Sequence, residues 1–308
     1  MRKKEPQKGT KDMVMKEERP CFNKIKDFVL NAAQKKEAGQ TNISISGFGA
    51  VKCWHQQRIA AVPFLYPCLV LVVTGCKHIY HGHKEIQCFP GEFLAIPAPA
   101  RYDVVNTPEG SQRPFLALYL HFDDWLIEQF HRLYQMEDSN DIDKISIHLK
   151  GSELLDSAIW HFLEISHRRE LGHDLVQHRL IEVLLCLVKY CNASHMLLSM
   201  SHSWRHRVYS LLLTNSSRDW LISDVCTLLG VSESTLRRKL RKENTDFRTT
   251  IEDVRMGLAL SEVQFTNLPI SIIAGHCGYS SFSRFTSRFS NRFNTTPSRL
   301  RKQMAESG

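Results

Sequence analysis

One stretch near the C-terminus, Pro269–Arg301, constrains the fold of this 308-residue chain most strongly. It begins with apolar residues at helical spacing, and Gly278 follows where a short helix would end. A glycine at that point permits both a left-handed turn and the close crossing of two helices. Phenylalanines then recur every four residues at Phe285, Phe289 and Phe293, so they share the buried face of a second helix. The stretch therefore predicts two short helices that cross at Gly278.

The second of these helices is predicted over residues 281–293, with Ser280 as its N-cap. Three arginines recur every four residues beside its phenylalanine face: Arg284, Arg288 and Arg292. The segment Val263–Ala305 contains no Asp or Glu. A second helix whose exposed face carries cations and hydroxyls is typical of a helix-turn-helix that reads the major groove of DNA.

The same pattern occurs about fifty residues earlier in the chain. Ile222–Leu229 is predicted to be the first helix, and Gly230 lies at the turn. Ser232 is the predicted N-cap of the second helix, Glu233–Lys242, which is rich in Lys and Arg. Between the two units, Phe247–Phe265 has apolar residues at helical spacing and predicts one long helix. The C-terminal part is therefore expected to be all α-helical.

The distribution of charge separates this part from the rest of the chain. The formal net charge is +8, and residues 201–308 contain 16 Lys and Arg against 9 Asp and Glu. The first 200 residues contain 24 against 23, so they are nearly neutral. Because the cations are concentrated where the two helical units lie, a polyanion is the expected partner of that part.

Two helix-turn-helix units joined by a long helix resemble the AraC/XylS family of bacterial transcription regulators. The resemblance covers about residues 203–302, and its most specific residues are Gly278-Tyr279-Ser280-Ser281, the phenylalanine spacing and the segment Thr295–Arg301. It implies a sequence-specific transcription regulator, an activator that responds to an effector. It also implies double-stranded DNA and RNA polymerase as partners.

The family's DNA-facing positions are carried over residue by residue. In the first unit they are Ser234, Thr235, Arg237 and Arg238, and Arg241 is a further DNA-binding candidate. In the second unit they are Phe282, Ser283, Arg284, Thr286 and Ser287. Arg238 and Arg284 are suited to bidentate contact with guanine, and Phe282 to contact with thymine methyls. Arg288 and Arg292 lie farther along the helix and are expected to contact phosphates.

The N-terminal half has a sequence pattern that is typical of a β-domain. Short apolar runs between residues 41 and 122 are separated by Gly and Pro at about ten-residue spacing, which predicts a small barrel or jelly roll. This part resembles the cupin-like sensor domain of AraC-family members. The residues that carry the resemblance are Pro67–Val70, the Pro90-Gly91-Glu92 turn and Arg113–Leu118. The predicted fold class is α+β, with a cupin-like β-barrel and flanking helices before the all-α domain.

The predicted organisation has three parts. Residues 1–20 are a basic, disordered tail, residues 21–200 form the sensor domain, and residues 201–308 form the DNA-binding domain. Helices are expected at about residues 151–192. Asp174–Tyr190 is apolar on more than half of its circumference, and one apolar stripe before it contains Leu154, Leu155, Ile159, Phe162 and Leu163. The resemblance implies that these helices form a homodimer interface, and a monomeric core is the alternative.

Histidines near one predicted hairpin, His78, His81 and His83, do not match the spacing of a metal cupin, so no metal or other cofactor is expected. No catalytic constellation is present, and the chain is not expected to be an enzyme. Two alternatives stay open at this point. One is a cupin-type enzyme with an appended DNA-binding module, and the other is an architectural DNA binder without an effector.

The apolar barrel is expected to bind a small organic effector, because small-molecule pockets are mostly apolar with a few polar groups. The candidate residues lie near the predicted strands: Trp54, His55, Cys76, His78, Tyr80, Arg101 and Tyr102. Arg101 is suited to hold a carboxylate through two hydrogen bonds. A barrel filled by its own side chains is the alternative.

The nine cysteines have no CxxC pair, so reduced thiols are expected. No apolar run reaches membrane-spanning length, and a cytoplasmic protein that is nucleoid-associated when bound to DNA is expected.

Overall fold

A computed structural model describes residues 18–37, 48–134, 147–168, 172–198 and 203–305. Most of the predicted basic tail and residues 41–47, where the predicted β-rich region begins, lie outside these residues. The described N-terminal part combines strands with flanking helices, and the C-terminal part is all helical. The predicted α+β fold class is therefore confirmed.

The described strands form two antiparallel sheets. Sheet 1 has the order β1-β8-β3-β6-β9, and sheet 2 has the order β2-β7-β4-β5. Their bounds are β1 Phe48–Cys53, β2 Gln57–Phe64, β3 Cys68–Thr74, β4 Cys76–His81, β5 Lys84–Cys88, β6 Phe93–Ile96, β7 Ala100–Thr107, β8 Phe115–His121 and β9 His148–Leu149.

Strand β3 shows how sheet 1 is placed, because all seven of its residues are buried. Side chains alternate between the two faces of a strand. Val70 and Val72 therefore point into the core between the two sheets, whereas Leu69, Leu71 and Val73 point into a second core beneath the helices. Sheet 1 is covered on both faces, which explains why β3 is apolar from Cys68 to Val73.

The helices on the outer face of sheet 1 are α1 (Pro20–Glu37), α2 (Asp124–Leu133), α3 (Glu153–Ser166), α4 (His173–Tyr190) and α5 (His195–Leu198). Phe162 of α3 and Leu184 of α4 are fully buried in the core that they share with the sheet. Leu154 was expected on the same stripe as Phe162, but about half of its surface is exposed, so the stripe is narrower than predicted.

The expectation of a closed barrel is corrected by the pairing of the strands. Among the described residues, β9 and β5 lie at the edges of sheets 1 and 2, so the strands form an open two-sheet sandwich. Closure of a barrel needs continuous hydrogen bonding around the ring. Alternating apolar residues and turn residues predict where the strands lie, but they do not predict which distant strands pair. A sandwich and a barrel have the same local sequence pattern.

The C-terminal helices are α6 (Trp204–Thr214), α7 (Ile222–Leu229), α8 (Glu233–Lys242), α9 (Phe247–Phe265), α10 (Ile270–His276), α11 (Phe282–Phe293) and α12 (Pro297–Met304). They enclose two small cores. Val254 of α9 belongs to the first, with Leu236 and Leu240 of α8. Met256 of α9 belongs to the second, with the phenylalanines of α11. The long helix α9 therefore joins two helix-turn-helix units, as the sequence predicts.

Candidate nucleic-acid interface and interdomain cavity

The first helix-turn-helix unit turns at Gly230, whose φ of 65° lies in the left-handed region that favours glycine. Ser232 caps helix α8 as predicted, because its side chain accepts a hydrogen bond from the backbone N–H of Thr235 at 3.3 Å. Leu236 and Leu240 are fully buried, which fixes the rotation of α8 about its axis. The cationic residues of α8 consequently face outward.

The second helix-turn-helix unit is built in the same way and turns at Gly278, whose φ is 77°. The Tyr279 ring packs against Phe285 with ring centroids 5.5 Å apart and fills the corner between the helices. The N-cap of α11 is Ser281 rather than the predicted Ser280, since the Ser281 hydroxyl accepts from the N–H of Arg284 at 3.3 Å. Adjacent serines have the same capping propensity, so sequence alone does not separate them.

Burial of the leucines of α8 and of the phenylalanines of α11 turns most of the predicted DNA-facing residues of the two helices to the surface. Phe282 exposes 52% of its surface, which is unusual for a phenylalanine on a packed helix. The exposed residues of the predicted set are Ser234, Arg237, Arg238, Arg241, Phe282, Ser283, Arg284 and Ser287. Thr235, Thr286 and Arg288 are partly exposed. An exposed aromatic ring among cations and hydroxyls gives this face the groups that contact bases and phosphates.

Arg292 behaves differently from the other arginines of α11. Its guanidinium donates to Asp253 at 2.5 Å and to the backbone carbonyl of Ala61 at 3.1 Å. Only 16% of the side chain is exposed. A phosphate contact by Arg292 stays a prediction, and it requires these contacts to be released.

Asp253 on α9 is the centre of this interdomain cluster, and its carboxylate is fully buried. Besides Arg292, it accepts hydrogen bonds from Arg205 at 3.0 Å and from the Tyr209 hydroxyl at 2.6 Å, both on α6. It also pairs with Arg101 of β7 in the N-terminal domain. Burial alone would raise the pKa of Asp253, but the hydrogen bonds from Arg101 and Tyr209 and the nearby guanidinium charges hold it below its ordinary value.

A second polar contact joins the same two domains. Asp124 of α2 accepts a hydrogen bond from His206 at 2.6 Å and another from the hydroxyl of Ser210, both on α6. Burial opposes ionisation of Asp124, but these two hydrogen bonds keep the pKa of its carboxyl below the ordinary value. Two carboxylates therefore hold α6 and α9 against the N-terminal domain.

A cavity of about 130 Å³ lies between sheet 2 and helix α9. The sheet side contributes Val62, Phe64 and Val104, and the helix side contributes Leu260 and Phe265. The polar lining residues are Lys77, Asn106, Tyr119, Ser261 and Gln264. A mostly apolar wall with a few polar groups, placed where two domains meet, is the usual character of a small-molecule site.

Among the described residues, Lys77 is the one cation that lines this cavity, and only 1% of its surface is exposed. Its ammonium donates to Asn106 Oδ1 at 2.8 Å and to the Tyr119 hydroxyl at 2.7 Å. Both partners are neutral, and within the described ranges no Asp or Glu forms an ion pair with Lys77. Burial lowers the pKa of Lys77 to about 8. A buried cation without a protein counter-ion favours an anionic ligand.

None of the seven predicted effector-binding residues lines this cavity: Trp54, His55, Cys76, His78, Tyr80, Arg101 and Tyr102. Arg101 pairs with Asp253, and the side chains of His78 and Tyr80 hydrogen-bond to Glu85 on the outer face of sheet 2. Lys77 was missed, although the strand pattern could have revealed it. Lys77 and the fully buried Ile79 are two residues apart and share the inner face of β4.

Two families match this chain. The family described as AraC-type transcriptional regulator N-terminus matches residues 47–191, and the family described as helix-turn-helix domain matches residues 225–303. The chain belongs to the AraC family of transcriptional regulators. The relatives of this AraC-family chain include regulators from Escherichia coli. The urease operon transcriptional activator is 37% identical over 97 residues, which are 32% of this chain and 33% of that protein.

The regulator AdiY of Escherichia coli K12 is 36% identical over 90 residues, 29% of this chain and 36% of AdiY. The AraC-family chain thus spans about a third of the length of the curated relatives it matches. These relatives are regulators of transcription, and the comparisons give no support to the alternative of a cupin-type enzyme.

Solved structures extend the similarity to both domains. The structure of ToxT from Vibrio cholerae with a bound unsaturated fatty acid has a TM-score of 0.63 at 13% identity, covering 87% of this chain and 99% of ToxT. Another ToxT structure has a TM-score of 0.62 at 11% identity, covering 85% and 100%. At this identity the likeness concerns the fold alone. No helix in the described part of the AraC-family chain has the length and apolarity needed to cross a bilayer.

Proposed function

We propose that this chain binds specific sites on double-stranded DNA through α8 and α11 and thereby regulates transcription, without acting as an enzyme. The observation that carries the proposal is that both helix-turn-helix units are built in the same way. In each, a buried apolar stripe turns a row of cations and hydroxyls outward on the second helix. Helix α9 connects the two units, so they are expected to enter successive major grooves on one face of the duplex.

Replacement of Arg238 or Arg284 by alanine is expected to weaken binding to the preferred site by about 1–3 kcal/mol and to relax one base position. Both side chains are exposed, so the fold should be unaffected. Sites are first selected from genomic fragments with the purified full-length chain, and affinities are then measured at one fixed salt concentration. Arg132→Ala removes an exposed guanidinium from α2 and serves as the charge-matched control. Unchanged affinity and base preference in both variants would contradict the placement.

The second element of the proposal is an effector with a carboxylate and an apolar body in the cavity at Lys77. The buried ammonium, its neutral partners and the apolar wall support it. The fatty acid bound to ToxT, whose fold is similar, agrees with this ligand class. Because α9 forms one wall of the cavity, a ligand there contacts both the sensor domain and the helix that joins the two DNA-binding units.

Lys77→Met is expected to abolish thermal stabilisation of the chain by oleate, since it removes the ammonium but keeps the side-chain length. At a ligand concentration of 100 times the dissociation constant, wild-type protein should gain about 2.7 kcal/mol. The affinity should fall as the pH rises through about 8, because the Lys77 ammonium loses its proton there. Lys84→Met, on the exposed edge strand, is the control. Equal stabilisation by oleyl alcohol, or by oleate in Lys77→Met, would rule out the carboxylate contact.

Two partners complete the proposal. The first is a second copy of the chain, bound through the helices of the N-terminal domain. Exposed apolar side chains on α2, α3 and α4 support this interface, among them Leu133 and Leu154. The second partner is RNA polymerase, which follows from the role of the relatives as activators. Sedimentation of the full-length chain against the fragment 203–308 tests the dimer, and only the full-length chain should dimerise.

A further inference from the structure

The open side of the sandwich carries a cluster of three side chains that the proposed function does not use. Edge strand β5 of sheet 2 ends at Cys88, and edge strand β9 of sheet 1 begins at His148. Glu92 lies in the turn that leads from β5 to β6. The three residues thus come from both sheets and meet where neither sheet has a further strand.

The geometry of these side chains is close to that of a metal site. The Glu92 carboxylate and the His148 imidazole are 2.9 Å apart, and the Cys88 sulfur lies within 4.8 Å of both ligand atoms. In a tetrahedral zinc site with bonds of 2.0–2.3 Å, ligand atoms are separated by about 3–4 Å. Small rotamer adjustments would therefore bring all three atoms to bonding distance of one ion.

The surroundings suit a bound ion as well. Cys88 is fully buried in the core between the sheets, which shields a thiolate–metal bond from water. The side chains of Glu92 and His148 expose 28% and 31% of their surface, so an ion can enter from solvent. The Glu92 carboxylate also accepts the backbone N–H of Phe89 at 2.9 Å. Such a hydrogen bond orients a ligating carboxylate.

We propose that Cys88, Glu92 and His148 bind a zinc ion that links the edge strands β5 and β9 of the sandwich. One sulfur, one imidazole nitrogen and one carboxylate oxygen form a ligand set that zinc accepts, with water in the fourth position. Calcium and magnesium are excluded by the thiolate, since they take oxygen ligands. The ion would join sheet 1 to sheet 2 on the side where the strands leave the sandwich open.

The test is zinc binding by the full-length chain after removal of metal with a chelator. Competition with a chromophoric chelator should show one equivalent of zinc, and cobalt should give a thiolate-to-metal charge-transfer band. Cys88→Ser should weaken zinc binding by at least about 100-fold, beyond the 10–100-fold typical of a lost outer hydrogen bond. The cobalt charge-transfer band should also disappear in this variant.

Cys68→Ser is the matched control, because Cys68 is buried in the same core but is not part of the cluster. It should bind zinc as the wild type does. If Cys88→Ser fails to fold, zinc binding by Glu92→Gln and His148→Gln decides, since both substitutions alter partly exposed side chains at the rim of the cluster. Absence of a stoichiometric zinc ion in the wild type, or unchanged zinc affinity in the cluster variants, would overturn the proposal.

Discussion

Replacing Asp253 by alanine is expected to lower the free energy of unfolding by about 3–5 kcal/mol, the usual cost of removing one partner from a buried ionic cluster. The carboxylate is fully buried and accepts hydrogen bonds from residues of two domains. Without it, the guanidiniums of Arg101, Arg205 and Arg292 would face one another with no anion between them. Urea denaturation of the full-length chain measures the effect.

The control for this prediction is Asp219→Ala. Its side chain is 98% exposed and lies 3.8 Å from Arg255, so the expected change is within about 0.5 kcal/mol. The pH dependence gives a second measurement. Because the pKa of Asp253 is lowered in the folded state, its contribution is present above the unfolded value of about 3.9 and is lost as the pH falls through the folded pKa. Equal stability of the Asp253 and Asp219 variants would contradict the assigned role.

Phe289→Ala is expected to cost about 3–5 kcal/mol in stability and to abolish specific DNA binding. Phe289 is fully buried, and its ring lies 5.9 Å from that of Phe285 and 4.6 Å from that of Phe293. Loss of the ring leaves a cavity under α11 and removes the contact that fixes the orientation of this helix. Circular dichroism and a DNA-binding titration measure the two effects.

Phe282→Ala separates packing from recognition on the same helix. About half of the surface of Phe282 is exposed, so loss of its ring should change the free energy of unfolding by no more than about 0.5 kcal/mol. It should nevertheless weaken binding to the preferred site, because an exposed ring there is suited to thymine methyl groups. Loss of stability without loss of affinity in Phe282→Ala would show that its ring packs within the protein instead.

The C-terminal architecture was predictable because its determinants are local. Each helix-turn-helix is predicted by the spacing of its apolar residues, by a glycine at the turn, where φ is positive, and by a nearby serine cap. All three signals lie within about twenty residues of sequence. The sequence did not decide between the predicted barrel and the predicted jelly roll, because strand pairing is non-local. Pairing of β3 with both β6 and β8 joins residues separated by up to 53 positions, as for Cys68 and His121, and nothing local specifies whether the outer strands meet.

The polar interior was harder to predict, for a different physical reason. Lys77 and Asp253 are charged residues at buried positions, and the usual expectation places such residues at the surface. Asp253 lies on the buried stripe of α9 beside Val254, which is a local sign of burial. Its partner Arg101 is 152 positions away, so only the folded chain brings the two together. The predicted use of Arg101 in effector binding stays untested, as do the other predicted site residues.

The most direct test of the central claim is a hydroxyl-radical footprint of the full-length chain on its preferred DNA site. Two protected segments are expected on one face of the duplex, about 10 base pairs apart from centre to centre. Arg238→Ala should weaken one segment, Arg284→Ala the other, and Arg132→Ala neither. A single protected segment, or uniform protection that does not depend on sequence, would contradict a regulator that reads DNA through both units.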